Sequence, residues 1–297
     1  MTRLTAGDVD HLPADLPIMD EALRRVTGLS IAALARRAAG ARTATLFPAG
    51  RRVCVVPVTA GQGIIEGFSE AVAAVCRHIG CQVSVSPHTD VAGWAFAAER
   101  GEEVVLAADD QRFIALNIRM GVCIDNGIAT GEGYATALDA ASGGVAGRAV
   151  LVVGLGSVGM AAAVRLHHLG ASVLVADLDA ARVEVALHTL PVLAVDSTEA
   201  GLGVCDLVLD ASTGEGFIPG SWVSPASVVA AAGVPCGVTP DAAEVLGDRL
   251  IHDPLVLGVA TMVAKACLGV GRGDRRAGGR ERSNERGRPL RSGRKAT

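Results

Sequence analysis

The strongest constraint on the fold lies in 149-AVLVVGLGSVGMAAAVRL-166, an aliphatic run, a turn holding Gly154, Gly156 and Gly159, and then apolar residues at helical spacing. Glycines in this GxGxxG spacing close a β-strand and open an α-helix against a dinucleotide. Gly154 permits the tight turn, Gly156 lets a pyrophosphate approach the backbone, and Gly159 lets the helix pack closely on the sheet. Ser157 and Val158 open that helix, so unpaired N–H groups and the positive end of the helix dipole face the phosphates. GxGxxG alone is a weak signal. Here a strand precedes it, a helix follows, and the next strand, 172-SVLVAD-177, ends in Asp177 eighteen residues after Gly159. An acid at that place accepts hydrogen bonds from ribose hydroxyls and repels a 2′-phosphate, so the expected cofactor is NAD and not NADP.

Further aliphatic runs continue the pattern. Strands are expected at 149–153, 172–176, 191–195, 206–210 and 227–231, with helical segments between them, which predicts a Rossmann-like doubly wound parallel sheet over residues 145–269. Ligands of such sheets sit at the carboxyl ends of the strands, which places Ser212, Thr213 and Ala231 on the nicotinamide half of the groove. Small residues at these places also satisfy packing alone. Asp210 reads equally as a turn cap.

Residues 1–144 form the other unit, expected to hold the substrate. Its start is helical: 18-IMDEALRRVTG-28 and 30-SIAALARRAAG-40 repeat apolar positions at three and four and end at Gly. Strands at 52–56, 82–86 and 103–107 then alternate with helices at 66–79 and 90–100, a small parallel α/β unit. A helix over 126–142 leads to Gly143-Gly144 and the second unit. The turn 57-PVTAGQGIIEGFSEAV-72 is also glycine-rich, but it lacks dinucleotide spacing and no acid follows the next strand at the matching place. Polar residues cluster instead at strand ends, namely Thr59, Thr89, Asp90, Asp109 and Asp110. Val58, Thr59, Ala108 and Asp109 then line one wall of a cleft, where a carboxylate pair suits a cationic ligand. Asp109-Asp110 as a turn cap, and Asp125-Asn126 as a helix cap, are the competing readings.

Half of the 297 residues are apolar and only 3% aromatic, the composition of layered α/β proteins with aliphatic strands. The seven cysteines are scattered without a CxxC pair and read as reduced core residues, with no metal site. No apolar run is long enough for a membrane span and no secretory signal opens the chain, which points to the cytoplasm. Residues 270–297 carry nine Arg and one Lys against three acids, a net +7, whereas residues 1–269 carry a net −11. That basic tail has almost no apolar residues and is expected to be disordered; without aromatics or a periodic face it is not assigned to nucleic acid.

Four runs together resemble one family. These are 57-PVTAGQGIIEGFSEAV-72, 105-VLAADDQRFIALNIRMG-121, 125-DNGIATGEGYATAL-138 and 251-IHDPLVLGVATMVAKA-266. They are similar to the PylD family, the dehydrogenases of the last step of pyrrolysine biosynthesis, from the N-terminal helices to about residue 269. The resemblance implies NAD-dependent oxidation of 3-methyl-D-ornithyl-Nε-L-lysine, a lysine–ornithine isopeptide, at the terminal carbon that bears the amine, followed by closure of the pyrroline ring. Carried over by position, it implies substrate near Leu4, Val58, Ala108, Asp109 and Asn126. One departure is 59-TAG-61, where the family commonly reads TSG, so Ala60 replaces a hydroxyl. No catalytic residue is named. His252 is the candidate base by chemistry, with a capping or core role set against it. The chain has only Lys265 and Lys295, neither in the N-terminal unit, so a lysine-dependent mechanism fits less well than positioning of substrate against cofactor. Another NAD-dependent amino-acid or one-carbon-carrier dehydrogenase, or a silent NAD sensor, are the alternatives. A small-molecule substrate is the expected partner, with a homodimer left open.

Overall fold

The computed structural model describes residues 4–41 and 49–269. The Arg-rich tail and its expected disorder lie outside the described residues. Three helices open the chain: α1 (Ala6–Val9), α2 (Leu12–Thr27) and α3 (Ile31–Ala38). α2 stops at Gly28, whose φ of 70° only glycine adopts without strain, and α3 starts at Ser30, whose Oγ accepts the Ala33 N–H at 3.1 Å.

The first sheet follows. Its elements are β1 (Arg52–Val56), α4 (Phe68–His78), β2 (Gln82–Val85), α5 (Asp90–Glu99), β3 (Val104–Ala108), β4 (Phe113–Asn117), β5 (Val122–Asp125) and α6 (Asn126–Ala141). The strand order is β2-β1-β3-β4-β5, with β1 parallel to β2 and β3 as the sequence implied. β4 and β5 extend it as an antiparallel hairpin that the sequence reading did not include. The alternation of 113-FIALN-117 between buried and partly exposed positions is the period of a half-covered strand.

The second sheet is built from β6 (Ala149–Val153), α7 (Ser157–His168), β7 (Ser172–Ala176), α8 (Ala180–Thr189), β8 (Leu193–Ala194), α9 (Thr198–Leu202), β9 (Leu207–Asp210), β10 (Val228–Ala231), α10 (Pro240–Leu246), β11 (Leu250–His252) and α11 (Val256–Leu268). Its strands run β11-β10-β9-β6-β7-β8, all parallel. Counting these six strands along the chain, this is the doubly wound order 3-2-1-4-5-6, which reverses direction between β6 and β9. The strand expected at 191–195 shortens to two residues, and β11 adds a sixth.

α11 leaves the second sheet and packs on the first. Val256, Val259, Ala260, Met262 and Val263 share one buried cluster with Val53 and Val55 of β1 and Leu106 of β3. Its start is fixed by Asp253, whose Oδ1 accepts the N–H groups of Leu255 (3.0 Å), Val256 and Leu257 (3.2 Å). Tyr134 of α6 donates to the Asp253 carbonyl and to its Oδ2 at 2.5 and 3.0 Å. Lys265 pairs with Glu132 across the same α6–α11 contact. No described helix is long and apolar enough to cross a membrane, and no cluster of metal-ligating residues occurs among the described residues.

Candidate active site

The carboxyl ends of both sheets open onto one cleft of about 1220 Å³. One wall comes from the second sheet. Gly154, Gly156, Ser157, Val158, Asp177, Ser212 and Thr213 all line it. Gly154 has φ 82°, and a Cβ there would stand 2.8 Å from the backbone of Ser212, so the β9 loop packs directly on the glycine turn. Around Gly156 a Cβ would meet nothing within 4 Å, leaving the backbone bare to an approaching phosphate. Gly159 does not line the cleft. It faces the carbonyl of Gly154, which a Cβ would strike, so its role is packing. Ala231 is likewise buried inside β10, and the next residues, Ala232, Gly233 and Val234, line the cleft in its place.

Asp177 lines the cleft beside the glycine turn. Its Oδ2 accepts the Leu155 N–H of the glycine turn at 2.6 Å, and its Oδ1 accepts the Asp179 N–H at 2.8 Å. These bonds orient the carboxylate, whose side chain is 8% exposed, with the Arg182 guanidinium 3.7 Å from Oδ2. The fully exposed Leu178 beside it also lines the cleft, together with Arg182, Asp196 and Glu199, none of which the sequence reading singled out.

The opposite wall comes from the first sheet with its neighbours, Leu4 ahead of α1 and Asn126 at the start of α6 joining Val58, Ala108 and Asp109 at the cleft. Two carboxylates brace the glycine-rich turn after β1. Asp90 accepts the Thr59 N–H and hydroxyl at 2.9 and 2.7 Å, holding φ 53°, the one positive φ at a non-glycine among the described residues. Asp110 accepts the Gln62 N–H at 2.6 Å, in a place that a side chain at Gly61 would occupy. Ala60 is exposed and is not part of the cleft wall.

Asp109 caps the β3–β4 turn and faces the cleft at once. Its Oδ1 accepts the N–H groups of Gln111 and Arg112 at 2.8 and 2.7 Å. The Arg112 and Gln111 amides hold its carboxyl below the usual carboxylate value, so it remains anionic. Asn126 opens α6, and Asp125 caps it by accepting the Gly127 N–H at 2.9 Å. The Asn126 Oδ1 is buried without a hydrogen-bond partner. Between the polar groups lie Ile64, Ile65 and Phe68, with Phe68 edge-on to Phe113 at 5.4 Å between ring centres.

His252 stands outside the cleft, exposed, with Nδ1 2.9 Å from the Ala231 carbonyl. Lys265 is likewise remote, held by Glu132. Among the described lining residues there is no His, Lys, Tyr or Cys.

Two α/β lobes, one Rossmann-like, facing each other across a cleft at their strand ends form a dehydrogenase-like architecture. The solved shikimate dehydrogenase of Aquifex aeolicus shares it, with a TM-score of 0.51 at 13% identity over 75% of this chain and 93% of that one. Residues 8–124 match the family described as pyrrolysine biosynthesis protein PylD, N-terminal domain. The pyrrolysine synthases of Methanosarcina acetivorans and Methanosarcina barkeri are 31% and 32% identical, over 89% of this chain and 98% and 97% of theirs. The chain belongs to this PylD family of pyrrolysine-biosynthesis enzymes.

Proposed function

We propose that the protein oxidises the terminal amine-bearing carbon of 3-methyl-D-ornithyl-Nε-L-lysine with NAD, as a last step toward pyrrolysine. One observation carries the reading: a single cleft joins a bare glycine turn and a braced acid on one side to an anionic, partly apolar wall on the other. The residues fit the cofactor. Gly156 leaves its backbone open to a pyrophosphate, Asp177 is oriented to accept ribose hydroxyls, and Ser212, Thr213 and Gly233 flank the nicotinamide half. When bound, NAD supplies the hydride acceptor.

On the facing wall, the Asp109 carboxylate attracts the cationic substrate and Val58, Ile65 and Phe68 cover its methylene chain. Hydride leaves carbon only when the adjoining nitrogen has a free lone pair, so an ammonium with a pKa of about 10.4 must first lose its proton. A carboxylate favours the charged amine, whereas apolar surroundings favour the neutral one. Asp109 therefore recruits from the rim while the apolar centre favours deprotonation, with water carrying the proton away. Loss of hydride from the neutral CH2–NH2 leaves the iminium CH=NH2+, the neutral ornithyl α-amine attacks that carbon, and the nitrogen departs as ammonium, carrying the α-amine's two protons, as the ring closes to the imine. Without His, Lys or Tyr in the described lining, the protein accelerates this by orientation.

The test is direct. Protein, NAD and 3-methylornithyl-lysine are mixed while absorbance of the reduced cofactor is followed. Turnover supports the reading; NAD binding without turnover favours a sensor, and turnover of another amine or one-carbon carrier in its place would replace the substrate.

A further inference from the structure

Asp210 ends β9 at the centre of the second sheet. It is 0% exposed, and no ligand in the cleft can touch it. A carboxyl group at such a site is expensive to bury unless it is bonded, yet its Oδ2 makes no hydrogen bond of good geometry. Its Oδ1 accepts the Ser212 N–H at 3.0 Å, and its backbone carbonyl accepts the N–H groups of Ala232 and Gly233 at 2.7 and 3.1 Å. The two loops tied in this way are the ones that line the nicotinamide half of the cleft, after β9 and after β10. The carbonyl bonds belong to the backbone and survive any substitution, whereas the carboxyl reaches both loops by itself: it accepts the Ser212 N–H of the β9 loop, and Gly233 and Gly237 of the β10 loop lie over Oδ2, a Cβ on Gly233 standing 3.5 Å from it and one on Gly237 colliding with it. Desolvation pushes the carboxyl upward toward its neutral form, with the Ser212 and Gly237 backbone groups opposing.

We infer that Asp210 is the positioning residue for the reactive half of the cofactor, holding the loops after β9 and β10 in mutual register from beneath. The inference rests on the cofactor assignment proposed above. Ser212 also packs on Gly154, but the glycine turn keeps its place without the carboxyl, through the Gly154 N–H on the Ala176 carbonyl at 2.8 Å. The adenosine end, by contrast, is held by Asp177 and the Leu155 N–H and makes no use of Asp210. Loss of Asp210 must then discriminate between the two ends of one ligand, which a general loss of stability cannot do.

The test compares NADH with ADP-ribose, which carries the adenosine and both phosphates but no nicotinamide. Asp210→Ala is expected to weaken NADH by about tenfold or more and ADP-ribose by less than about twofold. Asp210→Asn keeps the acceptor for Ser212 and the shape of the neutral carboxyl, and is expected to restore NADH binding to within about threefold of the unsubstituted protein. Asp210→Leu, which keeps the buried volume but offers no acceptor to the Ser212 N–H, is expected to reproduce the selective loss and carries the test if Asp210→Ala fails to fold. Equal weakening of both ligands, no weakening of either, or failure of Asp210→Asn to rescue overturns the inference. Unsubstituted protein that binds neither ligand overturns the cofactor assignment itself.

Discussion

Alanine at Gly156 and alanine at Gly159 are small changes in the same turn with opposite expected results. At Gly159 the new methyl carbon would stand 1.7 Å from the Gly154 carbonyl oxygen, where ordinary contact begins at 3.4 Å, so about 1.7 Å of separation must be found. Gly154 has little freedom to yield. Its N–H donates to the Ala176 carbonyl at 2.8 Å, its φ is 82°, and the Ser212 backbone stands behind it. α7 must therefore lift from the sheet. Overpacking of this kind costs about 1–3 kcal/mol, and alanine's better helix propensity returns about 1 kcal/mol at most. At about 2–4 °C per kcal/mol, the melting temperature of Gly159→Ala should fall by several degrees without ligand. Gly156 has φ −69° and ψ −168°, a conformation open to any residue, and its Cβ would meet nothing within 4 Å. Gly156→Ala should therefore melt like the unsubstituted protein, while its methyl group intrudes on the path of the pyrophosphate and lowers NAD affinity about tenfold, or about 1.4 kcal/mol. Thermal melting with and without NAD, together with calorimetric titration, separates the two. Native NAD affinity in Gly156→Ala would refute the dinucleotide path, and a native melting temperature in Gly159→Ala would refute the packing account.

Asp177→Ala should weaken NAD by about 1–2 kcal/mol and free Arg182 to meet a 2′-phosphate, so the NAD-to-NADP affinity ratio falls; an unchanged ratio counts against the assignment. Asp109→Asn should raise the KM for the diamine substrate about tenfold or more with NAD affinity unchanged, and a change in NAD alone would contradict its place on the substrate wall. Tyr134→Phe removes a buried hydroxyl that accepts the Asp253 N–H at 2.9 Å and donates to its Oδ2, at a cost of about 1–3 kcal/mol. Burial raises the Asp253 pKa above 3.8 and the Tyr134 hydroxyl lowers it, so the variant's value rises further. A raised carboxyl loses its contribution as pH climbs from 3.8 through the folded-state value, so the deficit in unfolding free energy should be larger at neutral pH than in mild acid. A pH-independent deficit would show that Asp253 does not titrate there.

The Rossmann sheet was legible because its chemistry is local. Gly154 to Asp177 is one strand–helix–strand unit, and each residue type follows from the backbone it must adopt or the ligand it must meet. β11 escaped because 250-LIH-252 is three residues long and carries no periodicity. The β4–β5 hairpin did have a signal, the alternation in 113-FIALN-117, but a search for continuous aliphatic runs selects strands buried on both faces and passes over those buried on one. The braces of the β1 loop were visible only as separate residues. Nothing local says that Asp90 clasps Thr59 across thirty-one positions, or that Asp110 takes the Gln62 amide. Ala231 illustrates a finer limit: the strand was placed correctly, but the cleft begins one residue later, where Ala232 leaves the sheet.

What the sequence could not supply was the spacing between the two walls. α11 is buried on every side, with Lys265 its one charged residue, so its pattern names no single face to pack. In the fold it crosses from the second sheet to the first, while α6 crosses the other way and lies on α7. These contacts are close because they lack side chains. A Cβ on Gly127 would meet the Ser157 hydroxyl at 2.5 Å, one on Gly133 the Thr261 hydroxyl at 2.7 Å, and one on Gly131 the backbone of α7. The same helix thus begins with Asn126 on the first-sheet wall of the cleft and, one residue later, meets Ser157 on the second-sheet wall. Because packed interiors yield little, the glycines of α6 fix how closely the two walls of the cleft approach.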